Sequence, residues 1–141
     1  MFTMDGRDNE VFTNVVSYVT SVHTELTVTD NFSSVYNDTP SNFPHISGWF
    51  ISDEEDTKGI DNTLIENFTN VGFEWNIYSN KQNGKKEEVS ELANLVDTAM
   101  RRLGFARTMG VPVPNYADAT IERRTLRYSA KIGKDGKVYR R

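Results

Sequence analysis

The chain has 141 residues, 37% of them hydrophobic and 26% charged, with twenty Asp and Glu against sixteen Lys and Arg and no cysteine. That length suits one domain with a sizeable core. Disulfides, thiolate nucleophiles and cysteine-based metal sites are excluded, and no apolar run approaches the roughly 20 residues that a membrane-spanning helix needs.

The opening "MFTMDGRDNEVFTN" lacks the basic start and apolar run of a secretory signal, so the cytoplasm of the producing cell is the expected compartment. Residues 1–7 are read as a flexible or partner-bound terminus. In "DNEVFTNVVSYVTSVHTEL" the apolar positions Val11 or Phe12, Val15, Val19, Val22 and Leu26 recur at three- and four-residue steps, the period of an amphipathic helix. Its many β-branched residues disfavour an isolated helix, so packing must hold it. A short strand is expected around "SSVYN". "FPHISGWFIS", aromatic and β-branched after Pro44, reads as a longer one. The next stretch, "DEEDTKGIDNTLIEN", is acidic and turn-rich and reads as a protruding loop. "VGFEWNIYS" then alternates Val71, Phe73, Trp75 and Ile77 with Gly72, Glu74, Asn76 and Tyr78, a half-buried strand.

"KKEEVSELANLVDTAMRRLGF" carries a second helical stripe: Val89, Leu92, Ala93, Val96, Ala99 or Met100, and Leu103. Glu87, Glu88 and Glu91 crowd its start, Arg101 and Arg102 its end, and Gly104 supplies the stop. "FARTMG" reads as a short strand, whereas "VPVPN" cannot sit in a central one, because each proline removes a ladder donor. "TLRYSAKI" alternates Leu126, Tyr128, Ala130 and Ile132 with Arg127 and Lys131, a strand with one wet, positive face. Residues 133–141 form a second loose or partner-bound terminus. The order gives an α+β fold in one domain, 1–141: an antiparallel sheet of about four to five strands with two helices packed on one face. Phe73, Trp75, Ile77, Val89, Leu92, Val96, Leu103, Leu126 and Tyr128 are the expected core.

Chemical motifs fail on spacing. A calcium loop starting at Asp53 puts Lys58 where the glycine belongs; one starting at Glu54 puts Lys58 on a ligand position and Ile65 in place of the closing carboxylate. Neither His23 nor His45 has an acid at ligand spacing on a shared element, and a satisfied or half-exposed histidine is the favoured reading of His23. Ser47 and Ser52 lack the strand–elbow–helix setting of a nucleophile. The turn Gly133-Lys-Asp-Gly136 has no helix after it to cradle a phosphate. No enzyme activity, cofactor or metal is expected.

Charge is divided unevenly. From Arg101 onward there are eleven basic and three acidic residues, a net of +8, while the first hundred residues hold five basic and seventeen acidic ones, a net of −12. A basic end could bind nucleic acid. It could also be the solvated face of an edge strand, or it could meet the acidic flank of the next subunit. A repeating heterologous contact of that last kind closes into a ring. The candidate interface residues are Arg123, Arg124 and Arg127, with Asp53, Glu54, Glu55, Asp56 and Glu66 as the acids they would meet.

Residues 43–132 resemble the tail terminator (tail completion) proteins of long-tailed phages and prophages of Gram-positive bacteria. The likeness is carried by a "Phe-Pro" lead-in to the second strand, "Ile-Tyr-Ser-Asn" before "Gly-Lys-Lys", a helix ending "Leu-Gly-Phe", "Pro-Val-Pro-Asn", then "Asp-Ala-Thr-Ile-Xaa-Arg" and "Arg-Tyr". The resemblance implies a non-enzymatic virion protein of the same α+β order, placed in the tail at the head–tail junction and assembled in the host cytoplasm. It implies a homo-hexameric ring that caps the tail tube, ends its elongation and meets the head–tail connector, with genome DNA passing through without sequence-specific binding. A head-closure connector ring is the alternative of the same class. A small nucleic-acid-binding regulator is the alternative from another class, argued from the basic tail alone. The long acidic loop at 53–66 departs from the family.

Overall fold

The computed structural model describes residues 4–35, 40–55, 68–113, 120–133 and 138–139. Helix α1, Met4–Val22, buries Val11, Val15, Val16 and Val19. Val22, the next position of the expected stripe, is 51% exposed. The helix ends there and the chain turns: the His23 N–H donates to the Val19 carbonyl at 2.8 Å, and the Leu26 N–H to the His23 carbonyl at 3.1 Å. That turn, not a further helical step, returns Leu26 to the core. The short helix α2, Val28–Asn31, is N-capped by Thr27, whose hydroxyl accepts from the Asp30 N–H at 3.3 Å. The carboxamide of buried Asn31 accepts from the Thr27 N–H at 3.0 Å and donates to the Pro44 carbonyl at 2.8 Å, which fixes where the next long strand begins.

Strands β1 (Phe32–Ser33), β2 (His45–Glu55), β3 (Phe68–Ser79), β4 (Ala106–Pro112), β5 (Glu122–Gly133) and β6 (Val138–Tyr139) form one sheet. Its order is β1-β2-β3-β5-β4, with β6 also pairing β5. The α+β class and the two substantial helices on one face are as the sequence indicates, but the sheet is mixed. β1 runs parallel to β2, with Phe32 opposite Ile46 and Ser33 opposite Ser47. β2 also reaches further than its aromatic run. Asp53, Glu54 and Glu55 belong to the strand, their backbone paired with Val71, Asn70 and Thr69, since β3 starts at Phe68 and offers them a ladder. A bulge at Ile51 resets the alternation on the way. The rest of the expected loop, with Asp56 and Glu66, lies outside the described residues. β4 ends at Pro112 on the sheet edge, where a missing donor is tolerated. Both expected loose termini are partly regular: α1 begins at Met4, and Val138 and Tyr139 fold back onto Ile132 and Lys131.

Helix α3, Lys85–Arg102, lies across β3 and β5 and beside α1. It buries Val89, Leu92, Ala93, Val96, Ala99 and Met100, while Leu103, just past its end, is only partly buried. Its C-terminus closes in a Schellman motif: the Phe105 N–H donates to the Met100 carbonyl at 3.1 Å and the Gly104 N–H to the Arg101 carbonyl at 3.0 Å. Gly104 takes a φ of +94°, which a side chain would oppose, and buried Phe105 packs the motif shut. Across the core, Phe12 of α1 stacks on Trp75 with ring centroids 5.7 Å apart.

Asp97 joins α3 to the sheet. Its carboxylate accepts from the Tyr128 hydroxyl at 2.8 Å and from Arg101 Nε at 2.8 Å, with Arg107 3.5 Å away. Burial pushes the Asp97 pKa up, but the hydrogen bonds from Arg101 and Tyr128 and the charges of both arginines outweigh it and hold the carboxyl below its usual range. Burial and the same carboxylate push the Tyr128 hydroxyl well up, so it remains a donor.

Candidate functional site

Directly paired residues of an antiparallel sheet share a face. Trp75 pairs with Leu126, Phe73 with Tyr128 and Ile77 with Arg124, and this face lies under α1 and α3. The opposite face therefore carries Glu74, Asn76 and Tyr78 of β3 against Arg127, Thr125 and Arg123 of β5. On the flanks stand His45, Ser47 and Trp49 of β2 and Met109 and Val111 of β4. Among the described residues no helix packs on it.

Each of the three central pairs is a contact. Arg127 Nε donates to Glu74 Oε1 at 2.8 Å, Thr125 Oγ1 to Asn76 Oδ1 at 2.7 Å, and the Arg123 guanidinium lies 5.7 Å from the centre of the Tyr78 ring. Diagonal bonds join the pairs into one network: Asn76 Nδ2 donates to Glu74 Oε2 at 2.9 Å, and Arg123 Nε to Asn76 Oδ1 at 3.1 Å. Glu74, Asn76 and Thr125 are buried, and buried polar groups of this kind are costly unless satisfied, as they are here. Arg127 differs. Its side chain is 49% exposed, and the bond to Glu74 uses one of five guanidinium donors. Trp49 is half-buried and Val111 exposed, so the network is rimmed by apolar and cationic surface.

The expected interface residues are therefore divided. Arg123 and Arg127 share the helix-free face, and both are held by their own chain rather than waiting for a neighbour's acid. Arg124 is on the other face and donates from Nη1 to Ser90 Oγ of α3 at 3.3 Å, because the strand's period of two sends adjacent arginines to opposite sides. Asp53, Glu54 and Glu55 are at the far end of β2, in register with residues 69–71. Asp56 and Glu66 fall outside the described residues. Glu74, Asn76, Tyr78 and Thr125 were not among the candidates. Alternation along "VGFEWNIYS" put three of them on the side expected to be wet, but all three are buried, and only the register with β5 sets Glu74 against Arg127, Asn76 against Thr125 and Tyr78 against Arg123.

The two histidines part company. His45 is buried, which pushes its pKa down. Its Nε2 lies 3.1 Å from Ser33 Oγ, and that hydroxyl donates to the Val35 carbonyl at 3.0 Å. His23 lies just past α1 between two carboxylates and is taken up below. A comparison with protein-family models and with curated protein sequences finds no match for this chain.

Proposed function

We propose that this chain is a structural ring protein of the tail-terminator type, which assembles head-to-tail with copies of itself, caps a finished tail tube and faces the head connector. The observation that carries the reading is the sheet face on which, among the described residues, no helix packs. It is a patterned surface, with buried Glu74, Asn76 and Thr125 fixing Arg123 and Arg127 in place, and with Trp49, Met109 and Val111 around them. Tryptophan, methionine and arginine are residues that protein interfaces favour. An arginine already held at one edge loses less freedom when it pairs a second time. Among the described residues, positions 77–79 of the resembling segments lie on β3, Lys85 and Lys86 open α3, and Arg127 and Tyr128 lie on β5. Opposite charge between the basic face and an acidic flank would set the register of assembly, while apolar burial supplies most of its stability.

The test is mass in solution, measured for the purified chain alone and with isolated tail tubes, with electron microscopy of the tube ends. Ring-sized assemblies seated on those ends are expected. Arg123→Gln combined with Arg127→Gln removes both charges and keeps polar side chains beside Glu74 and Asn76. This variant should stay folded by circular dichroism and fail to assemble. A chain that remains monomeric and leaves tube ends bare would overturn the proposal.

A further inference from the structure

The turn between α1 and α2 is held against α3 by one imidazole. His23 Nδ1 lies 2.9 Å from Glu25 Oε1, within the turn, and His23 Nε2 lies 3.0 Å from Glu91 Oε1, on the first half of α3. A neutral imidazole has one N–H and one lone pair, whichever tautomer it adopts. One of the two contacts would then set a lone pair against a carboxylate oxygen. Only the imidazolium donates to both.

The surroundings favour that charged form. His23 lines a cavity of about 280 Å³ whose other walls are the turn, Pro44 and the start of α3. The charged groups around it are Glu25 on the turn, Glu87, Glu88 and Glu91 on α3, and Lys81 on the segment joining β3 to α3. Glu88 is also bonded by Ser79 at 2.6 Å. Even with His23 protonated, the carboxylates outnumber the cations. Glu25 and Glu91 are mostly exposed, whereas the ring between them is only 21% exposed, so the proton sits at a sheltered point between two wet acids.

We propose that His23 is a proton-operated clasp. As imidazolium it ties the α1–α2 turn to α3 at the wall of this cavity, and on losing its proton it drops one contact and loosens the turn from the helix. The Glu25 hydrogen bond raises the His23 pKa above its ordinary value; burial opposes the rise, and the charges of Glu25 and Glu91 and the Glu91 bond reinforce it. A raised folded-state pKa means that the contribution is complete below about 6.5 and is lost as pH rises through the folded value. The clasp is therefore closed in mild acid and opens towards alkaline pH. It stands independently of the ring proposal.

The experiment is a proton NMR titration of the two histidine rings in the full chain, with His23→Gln assigning the signals, and amide hydrogen exchange of residues 23–26 across the same pH range. His23 should titrate above 6.5. Glu91→Gln, a change on the exposed side of α3, should lower its midpoint. Protection in the turn, taken relative to the intrinsic exchange rate at each pH, should fall several-fold above the midpoint in the unmodified chain and be low throughout in His23→Gln. A His23 midpoint at or below 6.5 would overturn the clasp. So would a midpoint that Glu91→Gln leaves in place, or turn exchange that ignores the titration.

Discussion

Gly48 and Trp75 face each other across β2 and β3, and the indole occupies the space where any other residue would have a side chain. A Cβ built on Gly48 lies 2.5 Å from Trp75 Cε3, 2.6 Å from Cδ2 and 2.7 Å from Cζ3. Carbon contacts are comfortable at about 3.5–4.0 Å, so roughly 1 Å must be opened. Little can give way. The indole is fully buried, Phe12 stacks on it, and the Phe73 ring lies 5.2 Å from it on the same strand. Overpacking of this kind costs about 1–3 kcal/mol, and a rigid ring as the obstacle places Gly48→Ala near 2–3 kcal/mol. For a chain of this size that corresponds to a fall in Tm of roughly 6–15 °C. Thermal and urea denaturation followed by circular dichroism would measure it, and the Trp75→Leu background supplies the control. Removing the indole is itself costly, but alanine at position 48 should then cost almost nothing, a coupling on the order of 2 kcal/mol. The reasoning fails if Gly48→Ala costs under about 0.5 kcal/mol in the native background, or costs the same in both.

Leu92→Ala and Val96→Ala remove side chains of α3 that are almost wholly buried, and should lower stability by about 2–4 and 1–3 kcal/mol respectively in urea titrations. Tyr128→Phe deletes the hydroxyl that donates to Asp97 and should cost about 0.5–1.5 kcal/mol, with Arg101 and Arg107 still satisfying the carboxylate. The pKa of Asp97 is depressed, so its contribution is complete above the ordinary carboxylate value and is lost as pH falls through its lower folded value. Asp97→Asn should accordingly flatten the acid limb of the stability–pH curve, with little change in its slope near neutral pH. Arg127→Glu sets a second carboxylate against buried Glu74 and should destabilise the monomer more than Arg127→Gln does, an order that thermal melts of the two variants would check.

Local rules settled the main helix and the central strand. The stripe from Val89 to Met100 has the helical period, the acids and arginines lie at the ends that the helix dipole favours, and Gly104 stops the helix by a conformation available to it from its own lack of a side chain. Strict alternation likewise divided β3 between an apolar and a polar side before any partner strand was known. Periodicity failed where the chain stops being periodic. Val22 continues the stripe of α1 in sequence, yet the helix ends beneath it and a turn carries Leu26 inward instead. The run Asp53, Glu54 and Glu55 looks like a loop by composition, and strand hydrogen bonds, which are indifferent to side chains, made it part of β2. The candidate site depended still more on tertiary structure. That Arg123 and Arg124 face opposite ways follows from any strand, but that Arg127 meets Glu74, that Thr125 meets Asn76, and that His23 reaches Glu91 depends on register and packing between segments far apart in the chain. The main helix, the central strands and their apolar faces follow from neighbours one to four residues away and were legible in the sequence. Only the folded structure decided which polar groups meet, because a one-residue slip of β5 against β3 would leave every local signal intact and exchange every partner.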